Sequence, residues 1–177
     1  MTPSITYENI IKFLRNEIIR QSQLPSDRVL NALSIRGTNL TKVLNEIIEE
    51  SYEVDDSFIL FELVYDDNGN NVVIPNDEYM TSISNFNFNL HIYGNNSYMV
   101  AQKIWTGLRN ENAALNLVEQ GIHVNGVTFP QTINEFINNT LWIRHDLTIK
   151  FEVKFDIPNV TKTEYAKIPN KIISELK

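Results

Sequence analysis

Residues 143–157 read IRHDLTIKFEVKFDI, and apolar and polar side chains alternate along almost the whole stretch. A period of two residues predicts a β-strand with one buried face and one wet face. Strands in globular domains usually end after about five or six residues. We therefore predict that this strand is unusually long and that its far end meets a neighbouring subunit.

Two further segments predict the rest of the sheet. The same alternation recurs in FNFNLHI at 86–92. The segment SFILFELVY at 57–65 has apolar residues at both odd-numbered and even-numbered positions, which is typical of a central strand covered on both faces. With the helices described next, the chain is predicted to have an α+β fold, with a mostly antiparallel twisted sheet and helices packed on one face.

Apolar positions that recur every three or four residues predict four helices around this sheet. They are a helix that opens at Thr6, a short helix at 41–50, a helix at 98–110 and a helix at 113–119. In the third of these, Met99 and Trp105 are among the side chains predicted to face inward. We expect the helices to cover the apolar face of the sheet.

Turn-forming residues predict the connections between these elements. The loop DDNGN at 66–70 should join the strand at 57–65 to a return strand at 72–74 as a hairpin. Asn125 and Gly126 are predicted to form a tight turn. Residues 133–139 are predicted to form a helical turn just before the long strand begins.

The domain prediction is a single α+β domain at 1–157 followed by a C-terminal arm at 158–177. The last twenty residues carry two prolines and little periodicity. A segment without its own apolar face does not build a core. We therefore expect the arm to become ordered on a partner.

Composition limits the classes of function open to the chain. It has 177 residues, no cysteine, a formal net charge of -7 and a pI near 5.0. The acidic charge argues against broad binding to nucleic-acid phosphates, and the lack of cysteine excludes disulfides and cysteine-ligated metals. No stretch predicts a membrane span or a signal peptide, so we expect the protein to stay in the cytosol.

The strongest candidate for a metal site is the loop that carries Asp66, Asn68 and Asn70, with Asp77 at the twelfth position of a calcium-loop pattern. The loop follows a strand, and Asn71 stands where such a pattern has glycine. The same composition is typical of a hairpin turn. We therefore predict a turn and no metal site here.

The three histidines give little support to catalysis. His91, His123 and His145 are far apart in sequence, and none has a second ligand at a helical metal-binding spacing. His145 is at one of the odd-numbered positions of the long strand, which are otherwise apolar, and is predicted to be a hydrogen-bonded core residue. We predict no catalytic, cofactor-binding or metal-binding residue and no cofactor.

Two segments resemble the tail-terminator and neck-terminator proteins of tailed bacteriophages. They are LHIYGNNSYMVAQKIWTGL at 90–108, where a strand end leads into a helix with an apolar stripe, and LWIRHDL at 141–147, where a Trp and then an Arg open the last strand. The resemblance covers 57–157. The family commonly has an acidic residue beside this Trp, where the chain has Ile143, and the segments 41–50 and 158–177 have no counterpart.

The resemblance implies a structural virion protein and not an enzyme. Such a protein forms a ring, typically a hexamer, at the head-proximal end of the tail, ends growth of the tail tube and joins the tail to the head. The implied partners are other copies of the chain, the tail tube protein and the head-completion or neck proteins. The implied location is the tail or neck of the virion, after assembly in the host cytoplasm without a membrane partner.

The even-numbered positions of the long strand, which are polar, form the predicted subunit interface. Opposite charges follow one another along it and would fix the register of contacts with a neighbour. The predicted interface residues are Arg144, Asp146, Lys150, Glu152, Lys154 and Asp156. A further hypothesis is that the excess acidic charge lines a channel through which DNA passes without specific binding.

Three other functions stay open at this point. The chain could be a head–tail connector or another neck or tail completion protein. A small-molecule or metal-dependent enzyme on an α+β sheet would need converging polar groups in a pocket. A monomeric adaptor, which need not be viral, would bind one partner through the C-terminal arm. The oligomeric state in solution separates the ring from the adaptor.

Overall fold

A computed structural model describes residues 5–32, 57–66, 72–75, 79–137 and 139–158. The predicted helix at 41–50 lies outside the described residues, as does the arm beyond residue 158. The division of the chain at residue 157 therefore stays a prediction.

The described residues form three α-helices, a short 3-10 helix and seven strands. The elements in chain order are α1 Tyr7–Ser22, the 3-10 helix Ser26–Arg28, β1 Val29–Asn31, β2 Phe58–Tyr65, β3 Val72–Pro75, β4 Tyr79–Tyr93, α2 Ser97–Leu108, α3 Glu111–Glu119, β5 Ile122–Val127, β6 Gln131–Ile137 and β7 Thr140–Pro158.

The seven strands form one open sheet in the order β1-β2-β4-β7-β5, with β3 also paired to β4 and β6 also paired to β7. Only β1 and β2 pair in parallel among these strands. The centre is the ribbon of β4 and β7, which runs from Tyr79 opposite Pro158 to Tyr93 opposite Arg144. This architecture confirms the predicted α+β fold with a mostly antiparallel sheet.

The two faces of the sheet differ as the alternation predicts. One face, here called the helix-covered face, carries Phe88 and Leu90 of β4 opposite Ile149 and Leu147 of β7, all fully or almost fully buried. The apolar stripes of α1 and α2 belong to the same core cluster. The stripes are Ile10, Leu14 and Ile18 on α1 and Val100, Ala101, Ile104 and Leu108 on α2. The other face, here called the polar face, carries most of the charged residues of β7.

The great length of β7 is confirmed, since the strand has 19 residues. Its length serves three partners within the same chain. β4 pairs with 144–158, β5 pairs with 149–153 and β6 pairs with 140–146. The contact of its far end with a neighbouring subunit stays a prediction.

The start of α1 is confirmed at the predicted cap. Thr6 has an extended backbone, and its side chain accepts a hydrogen bond from the Asn9 backbone N–H at 3.2 Å. The prediction that Met99 faces inward is wrong, because the buried stripe of α2 passes through Val100 and leaves Met99 exposed. Trp105 is partly buried against the core.

The predicted hairpin between β2 and β3 is also wrong. Both strands pair antiparallel with β4, with Tyr65 opposite Phe86 and Val72 opposite Ile83. They therefore run in the same direction along one edge of β4. The reason is the length of β4, since its 15 residues offer pairing sites to two strands placed end to end.

Two further connection predictions fail. Asn125 and Gly126 lie within β5, where the register shifts between Val124 and Gly126 as in a β-bulge. The predicted helical turn at 133–139 is instead β6 and the turn that leads into β7, in which Asn139 has a positive φ of 62°. Pairing with β7 overrides the local helical spacing of the apolar residues in this segment.

Candidate subunit-interface surface

The predicted interface residues follow the polar face of β7 at every second or fourth position. The structure divides them into two groups. Arg144 and Asp146, at the end near β6, take part in an ion-pair network within the chain. Lys150, Glu152 and Lys154 lie near the middle and far half of the strand, and the side chain of Asp156 lies outside the described part of the structure.

Arg144 joins three strands at the first end of this face. Its Nη1 donates to Glu135 Oε2 on β6 at 2.8 Å, and its Nη2 donates to Asp146 Oδ2 at 3.1 Å. Nη1 also donates to the hydroxyl of Tyr93 on β4 at 3.4 Å. A planar guanidinium with several donors suits such a multiple contact better than a lysine ammonium. The network therefore ties the β6–β7 hairpin to the central ribbon.

Asp146 is held in the charged state by two neighbours. His91 Nδ1 lies 2.9 Å from Asp146 Oδ1, across the pair of β4 and β7. Burial raises the pKa of Asp146, but the hydrogen bond from His91 and the positive charge of Arg144 outweigh burial, so its pKa is lowered overall. A carboxylate with these partners is a structural anchor within the subunit.

The remaining charges of this face are more open to solvent. Lys150 and Lys154 are exposed, and Glu152 accepts a hydrogen bond from Asn125 Nδ2 at a long 3.4 Å. Exposed charges on a regular strand can form contacts with another chain at little cost in monomer stability. Their place in a subunit interface stays a prediction.

An aromatic cluster lies on the polar face next to the ion-pair network. The rings of Phe58 and Tyr93 stack with their centroids 4.9 Å apart, and Trp142 meets Phe58 edge-on at 6.0 Å. All three side chains are buried. Burial raises the pKa of Tyr93 to about 12, although its hydrogen bond from Arg144 acts in the opposite direction. Trp142 thus has a packing role in this cluster.

His145 is confirmed as a hydrogen-bonded core residue. Its Nδ1 lies 2.9 Å from Ser97 Oγ at the start of α2, and its Nε2 lies 3.0 Å from Thr132 Oγ1 on β6. Burial lowers the pKa of His145, although the charge of Asp146 acts in the opposite direction. Ser97 is completely buried, so a substrate cannot reach its hydroxyl. The pair resembles part of a catalytic triad in distance alone and acts as a structural link.

The sequence did not predict an apolar surface on the β6–β7 hairpin. We name it the hairpin patch and define it as Phe136, Leu141 and Ile143, whose exposed fractions are 75%, 47% and 36%. Phe136 pairs directly with Leu141, and all three side chains lie on the same face as His145. The sequence analysis predicted a helical turn at 133–139 and therefore no hairpin here. The faces of a hairpin can be assigned only after its register is known.

A second apolar surface lies at the opposite end of the sheet. We name it the far-end patch and define it as Tyr65, Val73 and Phe155. Tyr65 is 47% exposed and Val73 is 60% exposed, while Phe155 is partly buried. Phe155 lies opposite Ser82, which also pairs with Val73, and both Phe155 and Tyr65 contact the ring of Phe86. The patch belongs to the helix-covered face, beyond the part that the helices bury.

The described residues offer little support for a metal site or an enzyme pocket. Among them, no group of three His, Asp or Glu side chains is placed to hold a metal ion. Residues 67–71 and 76–78 lie outside the described ranges, so the calcium-loop pattern is not tested. In an open hollow of about 290 Å³ between α1 and α3, Glu17 is paired with Arg20. This carboxylate therefore already has a structural partner.

The helices that the structure describes include none long and apolar enough to cross a membrane. A comparison with curated proteins finds no match. A comparison with protein-family models finds the family described as phage neck terminator protein, which matches residues 35–173. This range spans most of the chain and contains both segments on which the sequence resemblance rests. It also includes 41–50 and 158–173, so the expectation that these segments have no counterpart in the family is wrong. The chain therefore belongs to the family of phage neck terminator proteins.

Proposed function

We propose that the chain is a tail terminator that forms a hexameric ring at the head-proximal end of the phage tail. In this position it ends growth of the tail tube and joins the tail to the head. The observation that carries the proposal is the family match over residues 35–173. The role is structural, in keeping with a family named for its place in the neck of the virion.

The shape of the sheet supports a role in assembly. The sheet is open, and the ribbon of β4 and β7 ends in an exposed apolar patch at each end. Exposed apolar patches on soluble proteins commonly mark protein–protein contacts. A subunit that contacts two neighbours in a ring needs two such surfaces.

The proposed partners are other copies of the chain, the tail tube protein and the head-completion or neck proteins. DNA passes through the ring without specific binding. A formal net charge of -7 supports this last point, because a wall with few cations offers few contacts to phosphates. The six charged residues on the polar face of β7 are proposed to fix the register between subunits, together with the apolar patches.

Electron microscopy of the phage that encodes the chain would test the proposed function. An early stop codon in the gene is expected to give tails of variable, excessive length together with heads that carry no tail. Plasmid-borne wild-type protein should restore joined particles with tails of uniform length. Free tails of normal length would instead indicate a connector, since tail growth would then end without this protein. Joined particles of normal length would contradict both functions.

A further inference from the structure

The β6–β7 hairpin projects beyond the central ribbon. β4 ends at Tyr93, which lies opposite Arg144, so residues 140–143 of β7 pair with β6 and with no other described strand. Two contacts fix the base of the hairpin: Arg144 binds Glu135 on β6 at 2.8 Å, and His145 binds Thr132 on β6 at 3.0 Å. A projecting element that is held rigidly at its base suits the presentation of a binding surface.

The hairpin patch has the composition of an interface centre. Phe136, Leu141 and Ile143 are large and apolar, and Asn134, which lies opposite Ile143 on the same face, is uncharged. Tyr98 of α2, itself 47% exposed, extends the surface, since its ring centroid lies 5.4 Å from that of His145. A contiguous exposed apolar surface of this kind commonly marks a contact with another protein.

A second copy of the chain is the occupant, because each subunit of the proposed ring must contact two neighbouring copies. At a formal net charge of -7, two copies repel each other on average. Their contact is least costly where both surfaces lack charge. The hairpin patch and the far-end patch are apolar, and their same-face neighbours Asn134, Ser82 and Ser84 are uncharged.

The positions of the two patches favour a head-to-tail contact. Residues 141 and 155 of β7 are separated by roughly 45 Å at the rise of an extended strand. Two patches this far apart on one subunit can each contact a different neighbour, as the two contact surfaces of a subunit in a ring do.

We propose that the hairpin patch of one copy docks on the far-end patch of the next copy, and that repetition of this contact closes the ring. This inference rests on the proposed function, which supplies the ring, and it adds the two surfaces through which the subunits of that ring meet. The contact is heterologous, because two different patches meet. A contact between two hairpin patches would instead be symmetric and would stop at a dimer.

Cross-linking can test this contact directly, because the chain has no native cysteine. The variant Phe136→Cys/Val73→Cys would be treated with a short bis-maleimide, both as concentrated purified protein and within purified virions. We expect a ladder of covalent oligomers that ends at one discrete size. Each single variant should stay monomeric on a denaturing gel. A monomer band alone from the double variant in both samples would overturn the proposal, and so would efficient dimers from Phe136→Cys alone.

A mixing experiment gives a second, independent test. Phe136→Asp and Val73→Asp each destroy one patch and leave the other intact. Each variant alone should be a folded monomer in sedimentation, whereas an equimolar mixture should form a dimer with one copy of each. The matched control is Leu115→Asp, an exposed apolar residue of α3 outside both patches, which should assemble like the wild type. Wild-type assembly by either single variant, or a mixture that stays monomeric, would contradict the proposed contact.

Failure of this inference can be told from failure of the proposed function. If stop-codon phage show overlong tails but the cross-links are absent, the chain is a terminator whose subunits meet elsewhere. If the ladder forms with purified protein but tail length does not depend on the gene, the contact exists and the terminator role is wrong.

Discussion

Ser97 Oγ lies 2.9 Å from His145 Nδ1, and both groups are buried. This contact joins the start of α2 to the strand that pairs with three others. Ser97 also donates to the backbone carbonyl of Ile143 at 3.3 Å. One serine thus fixes the helix layer to the base of the β6–β7 hairpin, next to the proposed contact surface.

Removal of the serine hydroxyl should destabilise the fold. Ser97→Ala leaves Nδ1 of His145 buried without its partner, and such a loss typically costs about 1–3 kcal/mol. The measurement is the free energy of unfolding in urea at pH 7.5. The matched control is Thr106→Ala, which removes an exposed hydroxyl from the same helix. An equal loss in both variants would argue against the special role of the Ser97 contact.

Acidification should weaken the fold through His145. Its pKa is lowered by burial, so the unfolded chain binds a proton more readily than the native one. The stabilising contribution is therefore complete above the unfolded pKa of about 6.5 and is lost as the pH falls below it. Urea midpoints at pH 7.5 and 5.5 would show this loss. His145→Gln should reduce the difference between the two midpoints.

His123→Gln is the control for this pH experiment, since His123 is exposed on β5. Its midpoints should change with pH as those of the wild type do. The role assigned to His145 would be refuted by a His145→Gln variant whose midpoints keep the full wild-type dependence on pH.

Arg144→Gln should loosen the hairpin and change the acid sensitivity. The variant leaves Glu135 and Asp146 without their cation, with an expected loss of about 1–3 kcal/mol for charged hydrogen bonds that are partly exposed to water. The pKa of Asp146 is lowered in the native state. The ionised carboxylate therefore stabilises the fold fully above about pH 3.8, and this stabilisation is lost as the pH falls further. This acid-dependent loss should be smaller in the variant.

The measurement for Arg144→Gln is the urea midpoint from pH 7 down to pH 3. Lys150→Gln serves as the control, because it removes an exposed cation from the same face of β7. Its stability should stay within about 0.5 kcal/mol of the wild type. If Arg144→Gln also stays within that range, the network contributes little to the subunit.

Several features of the fold could be predicted from the chain because they depend on local periodicity. The alternation at 143–157 indicated the length of β7 and the buried position of His145, and Thr6 indicated the start of α1. The hairpin patch could not be predicted in this way. Ile133, Phe136 and Ile137 follow a helical spacing, and only pairing with β7 makes the segment a strand.

The pairing of β3 was missed for a related reason. A loop rich in Asp, Asn and Gly indicates a change of direction, but the sequence does not state which strand receives the next segment. β3 pairs with β4 since that strand extends past the end of β2. The candidate interface was affected in the same way, because the partners of Arg144 and Asp146 lie on β4 and β6, far away in sequence.

The charge pattern on the far half of β7 should influence assembly more than folding. Lys150 is exposed on the polar face, where the alternation of charge is proposed to fix the register with a neighbour. Lys150→Glu replaces the cation between Asp146 and Glu152 with a third anion, so subunits that rely on this face should associate more weakly. We expect unchanged urea unfolding and a lower apparent mass in light scattering. The effect should shrink at high salt, since surface charges are screened. The charge-neutral variant Lys150→Gln should fall between Lys150→Glu and the wild type, and a mass that is the same in all three chains would remove this part of β7 from the interface.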